Sequence, residues 1–471
     1  MKRQLYLLLL LLFSFSTQAQ EEWSLLRCIE HAIEHNLTIK QSEINLDFAE
    51  IDKTQARHNR YPNLNFGTSF NTNFGRSTDP ITNTNVTQSF VSNNISLSSG
   101  VVVFNGFRIS NSIRRSDIDK RANEYDLEQS KRNISLNVAN AYLGVLFADE
   151  NLAIANSQLS TSEEQLVQTQ RLIDAGVRPA NEALDILAQI ANNEQLVINA
   201  ENSKQISLLN LKQLLRLDPD VSMILTAPTG VTVDSDPDLL TFLEVYNSAL
   251  KAQYDVRAAD LRVESASLGE KIAKAGLMPS VNFFASIGSN WTDKGRRIDN
   301  FARTLFEDDV LINGEPAVLG QEVDVPLTSK NPYVDQLNDN LAYGFGLSLN
   351  YPIYSNYSNR ANVERAKLNT MLAQNQSEQT RDLLKTTVQQ ALADAKNSKR
   401  KLNAAERSVE AQTASFNNAE KRFNAGTINS FEYVTIKNAL LEAEVNAVIS
   451  KYEYLFASKV LDFYMGKPIN I

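Results

Sequence analysis

The stretch that decides the fold runs from Leu127 to Val177, LEQSKRNISLNVANAYLGVLFADENLAIANSQLSTSEEQLVQTQRLIDAGV. Within it Ile134, Val138, Ala141, Val145, Ala148, Leu152, Ala155, Leu159, Leu166 and Ile173 are spaced by threes, fours and sevens. That spacing is the apolar seam of a helix held in a coiled coil. No proline interrupts it, and Gly144 is the only glycine before Gly176. Counted from about Arg108 at ~1.5 Å per residue, the helix is roughly 100 Å long, more than a globular domain needs. Gly176 supplies a left-handed stop and Pro179 opens the next helix. The device recurs. Arg422-Phe423-Asn424-Ala425-Gly426-Thr427 closes a second helix, whose seam is Val388, Ala391, Ala395, Leu402, Ala405, Val409, Phe416, Ala419 and Phe423.

The rest of the chain repeats with the same order. Residues 24–61 read as a helix capped by Ser24, with Leu25, Cys28, Ile29, Ala32 and Ile33 on one stripe. After Pro62 the sequence alternates, with Leu64, Phe66, Thr68, Phe70, Thr72 and Phe74 opposite Asn65, Gly67, Ser69, Asn71 and Asn73. A polar loop through Asp79-Pro80 leads to a second alternating strand at Ile95, Leu97, Val101 and Val103, and then to the long helix. A shorter helix follows to about Leu217. Ala249-Leu250 matches Ala32-Ile33 and Pro279 matches Pro62 at one offset. Tyr354-Ser355-Asn356 matches Phe104-Asn105-Gly106, and Gly426 matches Gly176, at a larger one. One insertion between two constant offsets marks an internal duplication. The expected divisions are a signal peptide at 1–19, a first repeat at 20–217, a linker at 218–237 and a second repeat at 238–471. The second repeat carries a strand–strand loop insertion at about 291–340.

The ends and the composition narrow the function. Lys2 and Arg3, the apolar run Leu5–Phe15 and Thr17-Gln18-Ala19 form a secretory signal. Cys28 is the single cysteine, which excludes an internal disulfide framework and a multi-cysteine metal site. It follows Arg27 well beyond the apolar run, which speaks against a lipoprotein cleavage site. A net charge of −9 speaks against nucleic acid. Beyond the signal no run of ~18 apolar residues appears, so any entry into a membrane is as a β-barrel. The last strand suits one: Leu341, Tyr343, Phe345, Leu347, Leu349, Tyr351 and Ile353 share a face, and Ala342, Gly344, Gly346, Ser348 and Asn350 the other. Four strands cannot close a barrel, so copies must combine; two give eight strands and three give twelve. No phosphate-binding loop, serine nucleophile elbow or zinc-protease helix is present, so an enzyme is not expected.

Signal, helix–hairpin–helix–helix order, duplication and the two tips Leu172–Val177 and Arg422–Thr427 together resemble the TolC-like outer-membrane efflux channel family over essentially the whole mature chain. The resemblance implies a mainly α protein with a β-barrel part. Long helical hairpins form a periplasmic α-barrel, and four transmembrane strands per chain join a trimeric twelve-stranded barrel. It implies a Gram-negative outer-membrane location, no cofactor, and a passive exit duct for small molecules, drugs and toxic compounds. The implied partners are a periplasmic adaptor and an inner-membrane transporter. A type I protein-secretion duct and an exported soluble coiled-coil scaffold stand as rival readings.

The resemblance also points to sites. The tips Ala175, Gly176, Val177 and Ala425, Gly426, Thr427 are expected adaptor contacts, although glycine also simply ends a helix. In the family, carboxylates one turn apart after a tip line the entrance. Here Glu182 and Asp185 follow the first tip, while the second has Glu432 but Thr435, a departure from the family's acidic pair. Symmetry puts rings of Glu182, Asp185 and Glu432 at the mouth; alternatively, acids there merely favour the helix dipole. Asn137, Asn140 and Gln158 suit a water-filled bore. His31 and His35, four apart, read as a solvated helix face rather than a metal site.

Overall fold

The computed structural model describes residues 21–78, 85–226, 236–312 and 315–467; the signal segment, the Asp79-Pro80 loop and linker residues 227–235 lie outside them. In chain order the elements are β1 (Glu21–Trp23), α1 (Leu25–His35), α2 (Leu37–His58), β2 (Asn63–Thr78), β3 (Asn85–Phe104), α3 (Arg108–Asp174), α4 (Asn181–Leu215) and β4 (Met223–Leu225). The second half supplies α5 (Phe242–Ala252), α6 (Tyr254–Lys274), β5 (Ser280–Thr292), β6 (Arg296–Ile312), β7 (Glu315–Lys330), α7 (Tyr333–Asp339), β8 (Ala342–Asn350), α8 (Ser358–Asn424) and α9 (Ser430–Tyr464). The two long helices α3 and α8 are each 67 residues, and α4 and α9 each 35.

The chain divides into two compact units. The helical unit comprises Met1–Ile51, Asp117–Ser265 and Thr370–Ile471. It holds two cores built from equivalent positions. Cys28, Ala32, Ile39, Ile134, Val138, Tyr142, Val145 and Leu211 are buried in the first. Val245, Ala249, Val256, Leu384, Val388, Leu392, Ala395 and Leu461 are their matches in the second, in the same order. Burial raises the Cys28 thiol pKa to about 12. The Tyr142 hydroxyl donates to the Thr226 carbonyl at 2.6 Å, tying α3 to the strand end of the short parallel pair β1–β4.

The first helix differs from its sequence reading. It breaks at Asn36 (φ −71°, ψ 132°), whose side chain accepts from the Thr38 amide at 2.8 Å and starts α2. Gln253, at the matching place in the second repeat, breaks α5 from α6 with the same extended backbone (φ −80°, ψ 124°). The Arg132 guanidinium then donates to the carbonyls of Ala252 (2.8 Å) and Phe463 (2.6 Å), capping two helix ends at once.

The strand unit comprises Asp52–Ser116 and Ala266–Asn369. Its main sheet has the order β2-β3-β5-β8, all antiparallel. Register lines like with like: Phe66, Leu97, Ile287 and Tyr343 form one cross-strand row, and Leu64, Ser99, Ala285 and Phe345 the next on that face. The alternate rows are Asn65, Ser98, Ser286 and Gly344, and Gly67, Ser96, Gly288 and Ala342. One face is therefore largely apolar and the other small and uncharged. The only charged side chain on these four strands is Arg76.

The insertion is folded rather than a loop. β6 and β7 pair along their whole length as a separate hairpin, and it carries eleven charged residues. α7 fastens its base to the sheet: Gln336 accepts from the Thr292 amide at 3.0 Å and donates to the Thr292 and Asn331 carbonyls, and the Tyr333 hydroxyl donates to Asn93 at 2.7 Å. At the opposite end of the sheet, the turns into α3 and α8 use left-handed backbone in both repeats, at Gly106-Phe107 and Asn356-Tyr357.

Gly106 is doubly constrained, because its φ is +64° and a Cβ there would lie 2.8 Å from the Met278 Cβ and 3.1 Å from the Ala275 Cα. Gly106→Ala is expected to lower stability by about 2–3 kcal/mol. Gly344→Ala, where nothing lies within 4 Å, is expected to change it little. Thermal unfolding in detergent, read by circular dichroism, checks the contrast.

Candidate functional site at the helical tips

Both helical hairpins turn through the same backbone device. At the first tip the Gly176 amide donates to the Ile173 carbonyl (2.8 Å) and the Val177 amide to that of Leu172 (2.9 Å). At the second, Gly426 donates to Phe423 (2.9 Å) and Thr427 to Arg422 (2.9 Å). These paired bonds satisfy carbonyls that the helix end leaves free, and they need a left-handed residue. Gly176 (φ 72°) and Gly426 (φ 73°) provide it, with open space where a Cβ would stand. Ala175, Gly176, Val177 and Ala425, Gly426, Thr427 are all exposed, so each tip presents a small surface.

The tips are not independent. Arg178, two residues past the first glycine, donates to the Phe423 carbonyl at 2.9 Å and approaches that of Ile428 at 3.5 Å. Its guanidinium sits 4.4 Å from the centre of the Phe423 ring, which stacks on Tyr433 at 4.6 Å. The same guanidinium pairs with Glu182 at 2.9 Å, and the two side chains are 8% and 12% exposed. A planar cation with several donors suits this work, since it caps a helix end, stacks on a ring and neutralises a carboxylate at once.

The three candidate gate carboxylates therefore differ. Glu182 is committed to Arg178. Asp185, one turn later, is exposed. Glu432 is half exposed and 3.5 Å from Arg422, while its amide donates to the N-cap Asn429 at 2.8 Å. Glu182 and Glu432 occupy equivalent positions; their different partners follow from the residue two past each glycine, Arg178 in one repeat and Ile428 in the other. Arg178 lay outside the sequence reading, and its place beside the tip was the available signal.

Above the first tip the α3 seam changes character. Ala155 is followed on the buried line by Gln158, Ser162, Gln165 and Thr169, while Leu159, Leu166 and Ile173 are half-buried. Gln158 is thus packed inside, not placed toward a bore, whereas Asn137 and Asn140 are exposed. From α4, Asn193 donates to Ser162 at 2.8 Å, and from α9 the Lys437 ammonium, 4% exposed, reaches Ser162 at 3.3 Å. Burial lowers the Lys437 pKa to about 8, with Glu164 pulling the other way. Gln158 Nε2, Gln165 Nε2 and Thr169 Oγ1 find no hydrogen-bond partner among the described residues. The spacing places Leu159, Leu166 and Ile173 on the seam, and the structure buries the neighbouring polar line instead, because period alone does not show which line faces inward.

His31 stacks on His35 (4.2 Å) and meets the edge of Trp23 (5.3 Å). Among the described residues no three His, Cys, Asp or Glu side chains gather as a metal set. No described helix is long and apolar enough to cross a membrane.

Comparison with known proteins places this geometry. The family model described as outer membrane efflux protein matches residues 28–215 and 245–467. An uncharacterised protein of Haemophilus influenzae is 23% identical over 197 residues, covering 41% of this chain and 42% of that one. Among solved structures, the outer membrane protein VceC of Vibrio cholerae aligns with TM-score 0.74 at 16% identity, covering 95% of this chain and 97% of VceC. The CmeC outer membrane channel of Campylobacter jejuni gives 0.75 at 15%, over 94% and 85%. The MtrE outer membrane channel of Neisseria gonorrhoeae gives 0.71 at 17%, over 94% and 89%.

Two outcomes follow from the tip chemistry. Arg178→Ala leaves Glu182 without its cation and uncaps the Phe423 carbonyl. It is expected to cost about 2–4 kcal/mol locally and speed amide exchange at both tips. Lys437→Met is expected to stabilise the helical unit by about 2 kcal/mol at pH 7. In the native chain the folded pKa of about 8 lies below the ordinary 10.5. The unfolded chain therefore binds more protons between those values, and stability rises with pH across that window. Urea titrations over the same pH range, with Lys437→Met as control, check the sign; the variant's profile is expected to be flatter.

Proposed function

Because the chain belongs to the outer membrane efflux protein family, we propose that it is the passive outer-membrane exit duct of a tripartite efflux pump. It works as a homotrimer, carrying small molecules from an inner-membrane transporter to the exterior. The observation that carries this reading is the four-stranded sheet with its two faces. An apolar face beside a small, hydrated one suits strands between lipid and a water-filled lumen. Each strand exceeds or approaches the ~9–11 residues that a tilted strand needs to cross the hydrocarbon. The charged β6–β7 hairpin belongs in water, beyond the outer face.

β2 and β8 are the two outer strands of the sheet, and open edges are not viable in lipid. Pairing β8 of one copy with β2 of the next closes a barrel, and three copies give twelve strands. The helical hairpins then extend into the periplasm. Ala175, Gly176, Val177 and Ala425, Gly426, Thr427 receive the adaptor, whose side chains pack on these small surfaces. Asp185 and Glu432 form the charged entrance. Glu182 acts through Arg178, holding the first tip to the second, and becomes part of the mouth only when that pair opens. Transport needs no chemistry of this chain's own; the transporter supplies energy and selects cargo.

Membrane separation followed by native mass spectrometry tests the assembly. Detergent-dependent trimers in the outer-membrane fraction that conduct in planar bilayers are expected, and a soluble monomer would sink the proposal. Ala425→Trp is expected to leave trimer and conductance intact while abolishing cross-linking to the adaptor and raising drug sensitivity. Asp185→Asn with Glu432→Gln is expected to lower cation selectivity several-fold in single-channel recordings.

A further inference from the structure

The charge of the strand unit is sorted along it. The helical segments that enter and leave the main sheet, residues 52–62, 105–116, 266–279 and 355–369, contain eleven Lys and Arg against three Asp and Glu. The chain as a whole is net −9. All four segments meet the sheet at one end, as the register shows: Asn63 pairs with Gly100, Phe104 with Val281 and Ser280 with Asn350. Lys53 and Lys367, the outermost of these cations along their helices, lie within about 15 Å of helix from the nearest junction at ~1.5 Å per residue. Arg57, Arg60, Arg108, Arg114, Lys271 and Arg360 are all exposed. Lys274 pairs with Glu270 (2.7 Å) and Lys367 with Glu364 (2.8 Å) on their own helices, but three acids cannot balance eleven cations, so this end carries a net positive charge.

Aromatic groups mark the same end. Tyr61, Phe107, Tyr354 and Tyr357 are exposed by more than half. Phe107 (φ 64°) and Tyr357 (φ 66°) take left-handed backbone, which bulky residues rarely adopt, at matching positions in the two repeats. Arg60 stacks over Tyr61 at 5.5 Å. Exposed rings with cations beside them, at the edge of an apolar sheet face, have the composition of a membrane–water interface. Clustered Lys and Arg next to a membrane-spanning segment attract anionic headgroups, and the attraction falls off within a Debye length of ~8–10 Å.

We propose that this basic, aromatic collar binds the anionic phospholipids of the adjacent leaflet and fixes the height at which the sheet sits in the membrane. The proposal rests on the membrane reading given above. The cations contact headgroup phosphates, and Phe107 and Tyr357 seat at the boundary of the acyl chains. The opposite end differs in sign: its hairpin carries seven acids, among them Glu307, Asp308, Asp309 and Glu315 toward the tip, against four cations, with Arg296, Arg297 and Lys330 at the base.

The test uses the full chain purified in detergent with mixed phosphatidylglycerol and phosphatidylcholine, compared with R57Q/R108Q/R114Q/R360Q. Native mass spectrometry counts bound lipids, while conductance in planar bilayers reads the channel separately. The native trimer is expected to retain phosphatidylglycerol about tenfold over phosphatidylcholine, and the variant to lose that preference while still conducting. Equal retention of both lipids by a conducting native trimer would overturn the collar and leave the channel standing. An unchanged lipid preference in the variant, with ion selectivity shifted toward cations, also overturns it, because the cations then face the bore. As a second measurement, Phe107→Trp is expected to be quenched by lipids brominated near the headgroup; quenching by aqueous iodide alone counts against the proposal.

Discussion

Two rows of backbone hydrogen-bonding groups set the terms for this protein. β2 and β8 bound a four-stranded sheet whose one face is apolar, and among the described residues neither strand has a neighbour on its outer side. In water such an edge invites aggregation, and in hydrocarbon it is not tolerable. In the proposed trimer, closure by copies of the chain would remove both edges at once. The proposed lipid setting would also account for the four strands holding almost no charge while the β6–β7 hairpin is heavily charged. The helices point the same way. Exposed apolar side chains such as Leu37, Ile44, Phe48 and Ile51, spaced seven, four and three apart on α2, form a stripe that one chain alone leaves uncovered.

The duplication supplies economy in the core and divergence at the tips. Eight buried positions in one repeat have buried apolar matches in the other, although Cys28 faces Val245 and Tyr142 faces Leu392 in that correspondence. Packing tolerates such exchanges when volume and pattern are kept. The tips share a backbone but not a chemistry, because Arg178 stands where the second repeat has Ile428. One substitution thus turns two copies of a helix stop into a donor and an acceptor for each other.

Much of this was legible in the sequence, for physical reasons. Glycine at a helix end and strict alternation in strands are local signals, and both survive in the structure; Pro179, read as opening the next helix, stands just outside it, because α4 starts at Asn181 with Ala180 as its cap. The positions where reading failed depend on tertiary partners. Asn36 and Gln253 interrupt their helices through caps and turns that propensity does not mark. The polar line Gln158, Ser162, Gln165 and Thr169 is buried in place of Leu159 and Leu166; Asn193 and Lys437 meet it at Ser162, while Gln165 Nε2 and Thr169 Oγ1 find no partner among the described residues. A heptad pattern with two candidate lines is decided by what faces it. The insertion looked like a loop because its strands mix charged and apolar residues on both faces, as an exposed two-stranded ribbon does.

The burial of Cys28 carries a practical consequence. The chain's only thiol lies inside the first core, and burial holds its pKa near 12, so almost none is thiolate at neutral pH. Reagents that attack thiolates therefore find nothing to modify in the folded molecule. A cysteine placed at a tip, in the collar or on the β6–β7 hairpin becomes the sole reactive handle without altering the native core. Spin labels, fluorophores and cross-linkers can then report distances between copies against a silent background.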